Sequence, residues 1–186
     1  MVNDMIEVLR VQRHDFMNHL QVILGLLQLQ KYDRAGQYIK EIAADMDREG
    51  ALARLGAPGV VSAVLLAEVA AGKQGVNISK NIGAGLDRGL RHEMTVAEII
   101  REMLALAVRL SQAEPCSGGS IDFEIAEKNG EYIFQAGFRA REGADSLALD
   151  AGIVFIEEAA VKVQGRLVTA VSADGITVIT LSVPSN

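Results

Sequence analysis

The richest concentration of side-chain chemistry in the chain is one run of nine residues, Arg13-His14-Asp15-Phe16-Met17-Asn18-His19-Leu20-Gln21. A neutral imidazole offers a nucleophilic nitrogen near pH 7, which makes His14 a candidate phosphoryl acceptor. Asp15 can accept a hydrogen bond from one ring nitrogen and leave the other to attack. Asn18, one helical turn on, can orient the transferred group or bond to a partner, and Arg13 can offset charge on phosphoryl oxygens. On spacing alone, an exposed histidine on an amphipathic helix is more often a solvated side chain. His14 and His19 lie five apart, roughly 140° around a helix, so they do not share a face for a metal. His19 is expected at or near a helix–helix interface with a structural role, and His92, in a polar stretch, is expected to have none.

These residues need a helix to position them. From Val2 to Gln30 the sequence has no proline and a single glycine, Gly25. Ile6, Leu9, Arg13, Phe16, Leu20, Ile23 and Leu27 recur three and four apart, a heptad-like seam, and Val8, Val11, Val22, Leu26 and Leu29 widen it. With the seam turned inward, His14, Asn18, Gln21 and Gly25 form an outer stripe. After a short connection, Lys31-Tyr32-Asp33, Asp33 is a plausible N-cap for a second helix running to about Arg54. Its apolar positions are Ala35, Ile39, Ile42 and Met46. So short a connection implies an antiparallel helical hairpin. Two helices with this much apolar surface do not cover themselves, and pairing with a second copy would give a four-helix bundle about a two-fold axis. Packing on the rest of the same chain is the alternative.

Gly56, Pro58 and Gly59 mark a boundary, dividing the chain into residues 1–55 and 59–186. Beyond it, Val60–Ala71, Thr95–Ser111 and Ala151–Val163 read as helices and Val76–Ser79 as a short strand. Ser120–Glu127 and Glu131–Phe138 form strands around Asn129-Gly130, a strong hairpin signal. Arg166–Val171 and Ile176–Val183 do so around Asp174-Gly175. Helices set apart from mostly antiparallel strands predict an α+β fold, the second part being a two-layer sandwich.

Composition narrows the function classes. The 186 residues are 49% hydrophobic with a net charge of −6, which argues against a duplex-DNA surface built on phosphate contacts. Trp is absent and aromatics are 4%, which weakens base stacking as a mode of binding. The single cysteine, Cys116, excludes internal disulfides and thiolate zinc sites. No run approaches the roughly 20 apolar residues of a membrane helix. With Asp4 and Glu7 in place of a basic flank, no signal peptide is read, and a cytoplasmic location is expected.

The string Arg-His-Asp-x-x-Asn-His-Leu-Gln, at the start of a helical hairpin, resembles the phosphoacceptor motif of a histidine-kinase branch. That branch includes citrate/malate-type sensor kinases and the sporulation initiation phosphotransferase B family. The stretch Leu26-Leu27-Gln28-Leu29-Gln30-Lys31-Tyr32-Asp33-Arg34 is similar to the first helix and turn of the latter. Pro58–Ile78 is similar to the linker, helix and strand that open a kinase ATP-binding domain. Gly175-Ile176-Thr177-Val178-Ile179-Thr180-Leu181-Ser182-Val183-Pro184 resembles its closing strand.

The departures are as informative as the match. In the kinases, the resemblance implies, a helix like Thr95–Ser111 carries paired asparagines for ATP phosphates and magnesium. Glu102 and Leu106 occupy those positions here, and Leu106 offers no oxygen to a hard cation. Ala136-Gly137-Phe138-Arg139-Ala140 lacks the aspartate of the expected Asp-x-Gly. The glycine-rich lid is reduced to a few residues around Gly143, while Gly152, Ile153, Val154 and Gly165 look like remnants of the last nucleotide-binding helix. The resemblance therefore implies a degenerate kinase ATPase-like domain behind a phosphorylatable hairpin. Such a homodimer would move phosphoryl groups between response-regulator receiver domains through His14, assisted by Arg13, Asp15 and Asn18. Gln21, Gly25, Lys31 and Arg34 would contact the partner. No cofactor is expected in the chain, Mg²⁺ being supplied by the receiver's acidic pocket, and neither nucleic acid nor membrane is expected as a partner. The competing readings are a sensor kinase core with a divergent ATP site and a non-catalytic scaffold that binds response regulators.

Overall fold

The computed structural model describes residues 2–83, 86, 89–111, 118–140 and 146–185. The fold is α+β and divides into two compact units, Met1–Leu52 and Ala53–Asn186. The first holds helices α1 (Val2–Gln28) and α2 (Tyr32–Ala53). α1 ends in a Schellman motif: Lys31 N–H donates to the Leu26 carbonyl at 2.9 Å and Gln30 N–H to that of Leu27 at 2.9 Å. Gln30 fills the left-handed position, φ 55°, that glycine usually takes. α2 begins one residue before the cap expected at Asp33. Asp33 lies instead in the first turn, where its carboxylate complements the helix dipole.

The second unit runs α3 (Pro58–Gly72), β1 (Asn77–Ile82), α4 (Glu93–Leu110), β2 (Ser120–Lys128), β3 (Glu131–Arg139), α5 (Ser146–Lys162), β4 (Arg166–Val171) and β5 (Ile176–Pro184). Pro58 stands in the first turn of α3, where a missing N–H costs nothing. The next N–H, of Gly59, donates to the Glu93 carboxylate of α4 at 2.5 Å. One acidic side chain thus caps one helix from the start of another.

The five strands form one mixed sheet in the order β1-β2-β3-β5-β4. β1 pairs with β2 in parallel, and the remaining pairs are antiparallel. Strict alternation buries one face: Ile121, Phe123 and Ile125 on β2, Tyr132, Phe134, Ala136 and Phe138 on β3, and Ile179, Leu181 and Val183 on β5. α4 supplies much of the facing layer through Ile99, Ile100, Met103, Leu104 and Leu106, all at most 1% exposed. Asn129 (φ 54°) and Gly130 (φ 78°) both take the left-handed conformation that a two-residue hairpin turn demands. The other hairpin is longer by one residue. Ser172 N–H donates to the Ile176 carbonyl at 2.8 Å, and Gly175 (φ 75°) closes the Ala173-Asp174-Gly175 loop.

Candidate functional site

In α1 the seam residues that periodicity turned inward are open in the single chain. Ile6, Leu9, Phe16, Leu20 and Leu27 are between 41% and 60% exposed. His14, Asn18 and Gln21 are exposed and Gly25 is half-buried; Lys31 and Arg34, at the hairpin turn, are exposed. The His14 side chain is 74% exposed and that of Asp15 60%.

Two neighbours engage the same ring nitrogen. His14 Nδ1 lies 3.3 Å from Asp15 Oδ1 and 3.2 Å from Asn18 Nδ2. No hydrogen bond is recorded at Nε2 among the described residues. The ring tautomer decides which neighbour bonds. With the proton on Nδ1, the ring donates to Asp15 and Nε2 carries the nucleophilic lone pair. With the proton on Nε2, Nδ1 accepts from the Asn18 amide and nucleophilicity at Nε2 is lost. Asp15 is thus placed to favour the tautomer that can attack, and Asn18 the other. Arg13 is exposed beside this group, and no hydrogen bond or ion pair joins its guanidinium to His14.

His19 reaches the other helix. Its Nδ1 lies 3.0 Å from the Tyr38 hydroxyl, with ring centroids 5.9 Å apart. The interface position expected for His19 is what the structure has, but Tyr38 went unnoticed in the sequence. A signal was present: residues 19 and 38 lie almost symmetrically about the Leu29-Gln30 turn, which is how antiparallel helices bring residues opposite.

The positions that the kinase resemblance assigns to nucleotide binding are differently used. Leu106 is 1% exposed. A Cβ placed on Gly152 of α5 would come within 2.9 Å of Leu106 Cδ1 and 3.0 Å of Cδ2. The glycine thus lets α5 close directly over the leucine. Glu102 is half-buried, with Oε1 3.3 Å from the Arg101 guanidinium. An aliphatic side chain packed against the neighbouring helix does not fit a magnesium–phosphate group. Ala136 and Phe138 are buried core positions of β3. Gly143, the lid remnant, and Cys116 lie outside the described residues.

Comparison with known proteins agrees with the resemblance over the hairpin. Residues 1–55 match the alpha-helical domain of the SpoOB-type sensor kinases. The chain is 45% identical over 58 residues to sporulation initiation phosphotransferase B of Bacillus subtilis, a match covering 31% of this chain and 30% of the relative. In fold, it is similar to the Acinetobacter baumannii histidine kinase AdeS at TM-score 0.52 and 12% identity, covering 93% of this chain and 98% of that one. It is also similar to the catalytic domain of histidine kinase ThkA, at TM-score 0.51 and 10% identity, covering 69% and 90% of the two chains. The mixed sheet with its helices is thus a histidine-kinase-type fold. Among the described residues, no helix is long and apolar enough to cross a membrane.

Proposed function

We propose that the chain is a phosphorelay histidine phosphotransferase of two-component signalling, moving a phosphoryl group between receiver-domain aspartates through His14. The observation that carries this reading is the exposed His14 ring held at Nδ1 with Nε2 open, on the segment that matches the SpoOB-type helical domain. The Nε2 lone pair attacks the phosphorus of a phospho-aspartate, the phosphorus–carboxylate bond breaks, and the aspartate leaves as its anion. The proton stays on Nδ1 and is donated to the Asp15 carboxylate, whose negative charge stabilises the charged phosphoimidazole. In the second half-reaction another receiver's aspartate attacks, and the N–P bond returns its electron pair to Nε2. Neither half needs a proton to be moved, so positioning and charge neutralisation supply the catalysis. Arg13 neutralises phosphoryl charge, and Asn18 orients the phosphoryl group or bonds to the receiver.

The same reading assigns residues 1–55 to dimerisation and transfer and 59–186 to a kinase-like domain that has lost its nucleotide. The exposed seam of α1 would be covered by a second copy in a four-helix bundle, and Gln21, Gly25, Lys31 and Arg34 would meet the receiver. The 45% identity to the Bacillus phosphotransferase supports sporulation initiation as the setting and the cytoplasm as the location. The test is a transfer assay with a phosphorylated receiver beside an incubation with labelled Mg-ATP. Acid-labile label from the receiver alone, absent in His14→Ala, is the expected result. Label from ATP would identify a kinase. A chain that binds the receiver and takes up no label from either source would be a scaffold.

A further inference from the structure

We infer that His19 and Tyr38 act as a positioning pair that fixes the roll of α1 about its own axis and so aims His14; this rests on the phosphotransfer reading above. The His19–Tyr38 contact of 3.0 Å is a side-chain hydrogen bond that spans the hairpin from α1 to α2. It lies at a half-buried position, five residues beyond His14 on the same helix. Within one hairpin the apolar seam leaves this roll loosely held: Phe16, Leu20 and Leu27 are 44% or more exposed in the single chain, and the His19–Tyr38 bond sets it before and alongside any packing against a second copy. Apolar contacts are also non-directional, whereas a hydrogen bond has an angle and a length. A long helix with a smooth apolar stripe can turn by several degrees at little cost; a bonded imidazole cannot follow without losing its partner.

The geometry gives the leverage. Outer side-chain atoms lie about 5–6 Å from a helix axis, so a roll of about 10° moves the His14 ring by about 1 Å. A displacement of that size at a reacting centre can lower the rate by as much as about a hundredfold. His19 lies roughly 140° around the helix from His14. Pinning His19 onto α2 therefore holds His14 on the side turned away from it, where a receiver can approach. His19 is a positioning residue in this scheme; it touches neither the phosphoryl group nor the His14 ring.

The test compares three variants in single-turnover transfer from a phosphorylated receiver, with receiver concentration varied. Tyr38→Phe removes the hydroxyl and keeps the ring. His19→Leu removes the ring nitrogen, and His19→Asn keeps a hydrogen-bonding atom at the δ position. Tyr38→Phe and His19→Leu are expected to slow the maximal rate about tenfold, with the half-saturating receiver concentration unchanged and His19→Asn near the wild-type rate. The ¹⁵N resonance of His19 Nδ1 should shift in Tyr38→Phe. Wild-type maximal rates in Tyr38→Phe and His19→Leu would overturn the inference, as would a loss that His19→Asn does not restore. A His19 Nδ1 resonance indifferent to Tyr38→Phe would do so too. A wild-type chain that accepts no phosphoryl group would instead defeat the phosphotransfer reading itself, and this inference with it.

Discussion

Replacing Leu106 by asparagine would put back the residue type that an ATP-binding kinase resembling this chain carries there, and the structure says it should cripple the fold. Leu106 is 1% exposed, and α5 closes on it through Gly152. Removing a buried leucine side chain down to alanine costs about 2–5 kcal/mol. Asparagine refills part of that volume but buries an amide, and an unmet amide costs about 1–3 kcal/mol more. We expect a net loss of about 3–5 kcal/mol, a large share of the 5–15 kcal/mol that typically holds a domain together. The chain has no Trp, but Tyr132 is fully buried in β3 and gives a near-ultraviolet circular dichroism signal for this unit. With a urea m-value of about 2 kcal/mol per molar, the midpoint should fall by about 2 M. A position facing solvent or an open nucleotide pocket would accept asparagine within about 0.5 kcal/mol. A midpoint unchanged by the substitution, or a loss recovered on adding Mg-ATP, would refute the closed packing of α4 on α5.

Three further expectations concern the hairpin. Gln30→Gly relieves a left-handed non-glycine residue at the α1 terminus and should raise hairpin stability by about 0.5 kcal/mol, part of the gain being offset by the freer unfolded chain; thermal unfolding followed at 222 nm checks it. Gly25→Ala adds a Cβ that meets nothing within 4 Å, so helix propensity should stabilise α1 by about 0.8–1 kcal/mol, while receiver affinity, measured by titration calorimetry, should fall if Gly25 meets the receiver as proposed. Phe16→Glu places a charge in the seam, where Phe16 is 52% exposed in the single chain; sedimentation equilibrium should show at least a tenfold weaker dimer, since burial of each large apolar side chain contributes about 1.5–3 kcal/mol and two copies are affected.

How much of this was legible in the sequence depends on what each signal encodes. The long α1 follows from an unbroken seam and the absence of proline, and the β2–β3 turn from Asn129-Gly130, because both are local. Face alternation in β2, β3 and β5 was equally plain, yet alternation tells which way a side chain points and not which strand lies beside it. The parallel β1–β2 pair and the neighbouring of β3 with β5 come from packing across the chain. The start of α5 at Ser146 rather than Ala151 was not legible, because Ser146-Leu147-Ala148-Leu149 carries too little periodicity to announce a helix. At the site, the Asp15 contact with His14 was readable because the two are adjacent on one helix, whereas Asn18, read as facing the transferred group or a partner, proves also to lie within hydrogen-bond distance of the His14 ring. The His19–Tyr38 contact needed the hairpin register, and the closing of Gly152 over Leu106 needed the fold.

The central claim is that His14 carries the phosphoryl group on its way between receivers, and it is tested most directly by locating that group. The chain would be mixed with a phosphorylated receiver, quenched at alkaline pH and examined by tandem mass spectrometry and ³¹P NMR. The account predicts one acid-labile phosphoryl group on Nε2 of His14, discharged on adding an unphosphorylated receiver. A phosphoryl group on any other residue, or none on His14 while the receiver binds, would contradict it.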